Sequence, residues 1–199
     1  MSFLKFAYFK SGEIVTALAV AVFAFYIVRS FAGGQTILEN EHRSESMVRA
    51  IYMQQMSLLE ETGTYGGFEK LSARSPVIAG LNRIPWGQDD SLDLATDGRY
   101  LYLIQMVYPI KSASVLVQES GRDDPSGFHC LSWPVRFAST GEICLYVNET
   151  GGMAVAPNIF GTHDGYNSFP PDSFIAPAEA AAGKAVEGED QWLKLDDLR

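Results

Sequence analysis

Cysteine and histidine are scarce in this chain, with two and three copies among 199 residues. Neither Cys130 nor Cys144 belongs to a Cys-x-x-Cys pair or to a zinc-binding pattern, so no chemistry of either kind is predicted. In an exported domain the two cysteines can form a disulfide. The alternative, which the sequence leaves open, is that each is a small buried hydrophobic residue.

Common catalytic patterns are also lacking. The chain has no Gly-x-Ser-x-Gly elbow to present a serine nucleophile, and no glycine-rich phosphate loop. His42 falls on the polar face of a predicted helix and His129 falls in a predicted strand, without the spacing of metal ligands. We therefore predict that these residues and His163 pack at the surface or in the core, and that the protein is not an enzyme.

The charge is acidic overall and unevenly distributed. The net charge is -9, Lys5 and Lys10 precede an apolar run, and Glu13 is the only carboxylate that does not follow it. By the positive-inside rule, the first dozen or so residues stay in the cytoplasm and the remainder is exported. An acidic exported domain argues against nucleic acid and anionic lipid as partners.

The apolar run Ile14–Val28, called the apolar segment below, is fifteen residues long. Flanking residues extend it, so we predict a cytoplasmic or leader segment at 1–13 and a transmembrane helix at 14–32. Two alternatives remain open. The segment can be a signal peptide removed after Ala32, although Glu13 is unusual beside a signal core, or it can be a buried core helix.

An amphipathic helix is predicted over 33–63, ending at Thr62-Gly63. At about 100° per residue its apolar side chains form a stripe roughly 120° wide. The stripe consists of Met47, Val48, Ile51, Leu58 and Leu59, and it is interrupted by Arg43, Gln54 and Gln55. The interruptions make the pattern imperfect, but one apolar face is still expected.

Residues 64–160 are predicted to form an antiparallel meander of four or five strands, covered by the amphipathic helix. The predicted strands are Arg99–Val107, Ser114–Gln118, Phe128–Val135, Ile143–Val147 and Met153–Val155. Residues 161–199 are predicted to be loop and acidic tail, with a short helix near Ala178–Ala185 and Trp192 available to dock the tail. The predicted fold class is α+β, with a long N-terminal membrane-spanning helix packed on a small antiparallel sheet.

Several stretches in this order resemble the type IV pilins and the pseudopilins of type II secretion. They are Met47–Ile51, the passage Gly63–Leu71, the strand Gly98–Tyr102, and Trp133-Pro134 followed by Leu145–Gly151. The resemblance implies a subunit of a filament or secretion pseudopilus in the bacterial inner membrane, with its C-terminal domain on the outer side. Its partners would be like subunits or other pilins, joined through the N-terminal helix.

The resemblance also implies a processing site. In Phe9-Lys10-Ser11-Gly12-Glu13 the Phe and Glu have the separation of the family pattern, but Tyr8 stands where the family has glycine. After cleavage, Phe9 would be the N-terminus and Glu13 would neutralise the new amine of a neighbouring subunit. The alternative is an uncleaved anchor with an interfacial glutamate.

Two weaker site predictions concern loops. Asp164, Asn167 and Asp172 can offer oxygen ligands to calcium, which some major pseudopilins bind in a late loop, but solvated loop acids explain them as well. The sequon Asn148-Glu149-Thr150 is explained equally well by a turn after a strand. Two other functions stay open: a membrane-anchored binding or sensor module, and an exported enzyme released from its signal.

Overall fold

The computed structural model describes residues 11–85, 92–109, 124–158, 165, 175–184 and 192–195. The chain divides into two compact units, Met1–Thr36 and Ile37–Arg199. The described elements are α1 (Ser11–Thr62), α2 (Phe68–Ser72), α3 (Pro76–Ala79), β1 (Asn82–Ile84), β2 (Leu92–Thr96), β3 (Tyr100–Val107), β4 (Gly127–Pro134), β5 (Ile143–Asn148), β6 (Met153–Pro157), α4 (Ile175–Ala181) and β7 (Leu193–Lys194).

The strands form one antiparallel meander, in which neighbours in sequence are neighbours in space. Seven strands are present among the described residues, rather than the four or five that were predicted. The register places Leu103 opposite Leu131, and Leu131 opposite Tyr146. The predicted strand Ser114–Gln118 lies outside the described residues.

Both faces of the sheet are buried. Successive side chains of a strand point to opposite faces, and β3 is apolar on each: Tyr100, Tyr102 and Ile104 pack beneath α1, while Leu101 and Leu103 face the other side. All five are fully buried. The sheet therefore separates two cores, and each core needs its own cover.

The later part of α1 covers the first core. Val48, Ile51 and Leu58 of the predicted stripe are buried against the sheet. Gln55, which interrupts the stripe, is also fully buried. Its amide donates to the Gly66 carbonyl at 2.7 Å and accepts from the Gly66 N–H at 3.0 Å. Gln55 therefore provides hydrogen-bond partners for both the N–H and the carbonyl of Gly66, in the loop after α1.

The C-terminal segment covers the second core. Ala180 and Ala181 of α4 pack with Trp192 against that face, where β6 contributes the small side chains Ala154 and Ala156. β7 pairs with β6, so the sheet extends into the region that was predicted to be loop and acidic tail. Trp192 is only 3% exposed, so this residue docks its part of the tail on the sheet.

The prediction of a membrane-spanning helix at 14–32 is wrong. Among the described residues, no helix is both long enough and apolar enough to cross a membrane. The apolar segment has fifteen residues, whereas a bilayer core requires about 20. α1 does continue through Gly33 and Gly34, but the residues that lengthen it beyond Val28 begin with Arg29 and include Gln35. The helix is long, and its apolar part is short.

Replacing Gln55 by Met tests the paired bonds to Gly66. The change keeps a long unbranched side chain but leaves two backbone groups of Gly66 without a partner. We expect the free energy of unfolding in urea to fall by about 2–4 kcal/mol. Gln54→Met is the matched control, because Gln54 is half-buried and is expected to change stability by less than about 0.5 kcal/mol. Equal losses in both variants would contradict this role.

Candidate functional site

The apolar segment lies in α1 within the first unit. Its described side chains are strongly exposed: Val20 by 62%, Val22 by 59% and Phe23 by 68%. At about 100° per residue, Val22 and Phe23 lie about 200° and about 300° around the helix from Val20. Val20 and Phe23 are therefore only about 60° apart on one side of the helix, and Val22 lies on nearly the opposite side, about 160° from Val20. A helix that is apolar on all sides is normally buried by neighbours.

Of the two residues predicted to mediate assembly, Phe9 and Glu13, the structure describes only the backbone of Glu13. Phe9 lies outside the described residues, while the backbone of Glu13 belongs to the first turn of α1. α1 begins at Ser11, so Glu13 lies inside the helix and not in the leader segment predicted for 1–13. The predicted pairing of Glu13 with a neighbouring N-terminus stays a prediction.

The disulfide between Cys130 and Cys144, one of the two possibilities that the sequence leaves open, is not formed. Both residues are thiols and both are buried. Cys130 packs in the core beneath α1 and Cys144 in the core on the opposite face of the sheet, so their side chains point away from each other. A disulfide requires Cβ atoms about 3.5–4.5 Å apart with converging vectors. Burial raises the pKa of the Cys130 thiol well above its ordinary value, which disfavours the reactive thiolate.

The histidines occupy separate environments. His42 is exposed on α1. His129 is half-buried, and its Nδ1 shares a hydrogen bond of 2.5 Å with the Tyr146 hydroxyl. Burial lowers the pKa of His129 and so favours its neutral form. Within the described ranges, no three His, Cys, Asp or Glu side chains form a group that could hold a metal ion. His163 and the predicted calcium residues Asp164, Asn167 and Asp172 lie outside those ranges.

The turn after β5 accounts for the sequon. The side-chain oxygen of Asn148 accepts from the Thr150 hydroxyl at 2.7 Å, the Thr150 N–H at 3.2 Å and the Gly152 N–H at 3.1 Å. Gly151 has a positive φ of 79°, a conformation that glycine adopts without strain. The Asn and Thr are therefore used to build the β5–β6 hairpin, as the alternative prediction of a turn expects.

A pocket of about 450 Å³ opens in the second unit between α1, α3 and the β2–β3 turn. We call it the arginine pocket, because it contains two cationic side chains. Its lining is Arg43, Ser46 and Met47 of α1, Val77 of α3 with the following Gly80 and Leu81, and Asp97 and Arg99 of the turn. None of these residues was predicted to form a site.

Local sequence signals build two walls of the arginine pocket. Pro76 begins α3 and the Ser75 side chain accepts from the Ile78 N–H, while Ile78 itself is buried in the first core. In the β2–β3 turn, Gly98 has a positive φ of 84°. Asp97 accepts from the backbone N–H groups of the next two residues after Gly98, each at 2.8 Å. Both walls are thereby fixed to the core.

Thiol labelling tests the placement of the cysteines. Because Cys130 and Cys144 are 0% and 1% exposed and are not joined in a disulfide, we expect the folded protein to react with a thiol reagent at a rate limited by unfolding. In denaturant without reductant, both thiols should react at once. The measurement is the mass of the labelled protein against time. A protein that takes up no label after unfolding without reductant would contain the disulfide after all.

Comparison with known proteins identifies no relative: no family model, no curated protein and no solved structure matches this chain. The residues and their geometry are therefore the basis of the proposals that follow.

Proposed function

We propose that the protein is a structural subunit that assembles through the apolar segment into a filament or pseudopilus of the pilin type. The observation that carries the proposal is the exposure of Val20 and Phe23 on one side of a helix and of Val22 on the nearly opposite side. The proposal assigns no catalytic role to the chain. The placement of its C-terminal domain on the outer side of the bacterial inner membrane stays a prediction that rests on the distribution of charge.

The energetics favour several neighbours rather than one. Burying a side chain of the size of Phe23 contributes about 1.5–3 kcal/mol relative to leaving it in water. A single partner surface covers only one side of a helix, so a surface that covers Val20 and Phe23 leaves Val22 in water. A bundle of the same segments from several copies covers every side, and each copy brings an identical apolar helix. This is why we commit to like subunits as the partners.

The two covered faces of the sheet in the second unit support the proposal. One face of its sheet packs against α1 and the other packs against α4 and Trp192. The sheet faces are therefore used inside the subunit and are not available for assembly. Among the side chains of the first unit that the structure describes, the exposed large hydrophobic ones are Val20, Val22 and Phe23.

Cysteine crosslinking tests the contact. In Phe23→Cys we expect mild oxidation of the full chain in its native cells to give a disulfide-linked dimer, because like segments would bring position 23 of two copies together. The measurement is electrophoresis without reductant. The native Cys130 and Cys144 are buried and should contribute no dimer. Met53→Cys is the matched control, since Met53 is 63% exposed on the same helix but lies outside the apolar segment.

Three outcomes separate the alternatives. Absence of a dimer at position 23, or equal dimer at position 53, would contradict assembly through the apolar segment and favour a binding or sensor module. The mass of the N-terminal peptide adds a second criterion. A start at Phe9 would agree with pilin-type processing. A start at Gly33 would remove the apolar segment, overturn the proposal and favour an exported enzyme.

A further inference from the structure

The arginine pocket carries an inference that does not depend on assembly. We propose that this pocket binds an acidic peptide segment of a partner protein. Arg43 and Arg99 hold a carboxylate of the peptide, and an adjacent apolar side chain lies against Met47, Val77 and Leu81. The pocket thus recognises a pair of features, a negative charge and a neighbouring apolar group.

The arginines select an anion as the ligand. Arg49, Arg74 and Arg83 each have a carboxylate partner, at 2.9, 2.6 and 3.3 Å respectively. Arg43 and Arg99 have no such ion pair within the part of the chain that the structure describes, although they line the same pocket. The chain as a whole has a net charge of -9. Two cations in one concave site that the described carboxylates leave unpaired are complementary to a carboxylate from outside.

Asp97, the third charged residue of the lining, does not neutralise both Arg43 and Arg99. One carboxylate oxygen of Asp97 accepts from the N–H groups of Arg99 and Tyr100, each at 2.8 Å, and the other lies 3.5 Å from the Tyr102 hydroxyl. Asp97 is therefore oriented by the turn, and the lining keeps an excess of one positive charge. Guanidinium groups bind carboxylates through paired, parallel hydrogen bonds, so two of them can hold both oxygens of one carboxylate.

The rest of the lining distinguishes a peptide from a small anion. Met47 and Leu81 are 7% and 9% exposed and form part of the first core, whereas Val77 is 56% exposed. The volume of about 450 Å³ lies in the range of ligand sites, about 300–1,000 Å³. A bare phosphate would occupy a small part of it and leave Val77 in water. The Ser46 hydroxyl donates to the His42 carbonyl at 2.9 Å, so its oxygen can still accept from a peptide N–H.

Peptide binding to the purified full chain tests the inference. The probe is a fluorescein-labelled peptide Ala-Leu-Glu-Asp-Leu-Ala with blocked termini, and its neutral twin carries Gln and Asn in place of Glu and Asp. We expect saturable binding of the acidic peptide by fluorescence anisotropy and at least tenfold weaker binding of the twin. Arg43→Ala and Arg99→Ala should each raise the Kd about tenfold. Val77→Glu, which places a like charge at the exposed rim, should also weaken binding.

The matched control is Arg136→Ala. Arg136 is exposed, lies outside the arginine pocket and carries the same charge, so its removal should leave the Kd unchanged. An equal loss of affinity in Arg136→Ala would show that the effect of the arginine substitutions reflects net charge alone, and it would overturn the proposal. So would a lack of saturable binding, or equal binding of the neutral twin. Competition by inorganic phosphate as strong as that by unlabelled acidic peptide would show a small-anion site instead. Thermal unfolding of each variant verifies that it is folded.

Discussion

Burial of the sheet on both faces is the constraint on which the rest of the structure depends. β3 has no polar face, because Tyr100 and Tyr102 fill one core and Leu101 and Leu103 fill the other. A meander of such strands is stable only when both faces are covered. The covers come from opposite ends of the second unit, the later part of α1 at its start and Trp192 near its end. The two ends of the unit are therefore joined through the sheet that lies between them.

The strands that line the two cores could be predicted because their signals are local. Alternation and glycine or proline boundaries predict β3, β4, β5 and β6 within two residues of their observed ends. The short β1 and β7 could not be predicted, since pairing with a neighbour decides their conformation more than their own composition does. β2 contains Asp93, whose carboxylate accepts from the Phe68 N–H at 2.7 Å. Asp93, a polar residue in an otherwise apolar strand, thus makes a tertiary contact that the sequence does not reveal.

The same reasoning explains why the arginine pocket was missed. In the sequence, Arg43 interrupts an apolar stripe and Asp97-Gly98 indicates a turn. Each interpretation is correct for its own short segment. The pocket arises only when α3 and the turn are brought against α1, and no spacing in the sequence links positions 43, 77 and 99. The prediction of a membrane-spanning helix was wrong for a different reason. The segment is apolar, but its fifteen residues are fewer than the roughly 20 that a bilayer requires.

The covered faces and short edges of the sheet restrict how this subunit can meet a partner. Its described edge strands are short, three residues in β1 and two in β7, and short edges offer few unpaired N–H and C=O groups for an added strand. With both faces covered as well, main-chain pairing is a poor route to association. Contacts must then be made by side chains, and the two surfaces suited to this differ in character. The apolar segment favours like helices around it, whereas the arginine pocket favours one negatively charged group, so the two surfaces select partners of different chemistry.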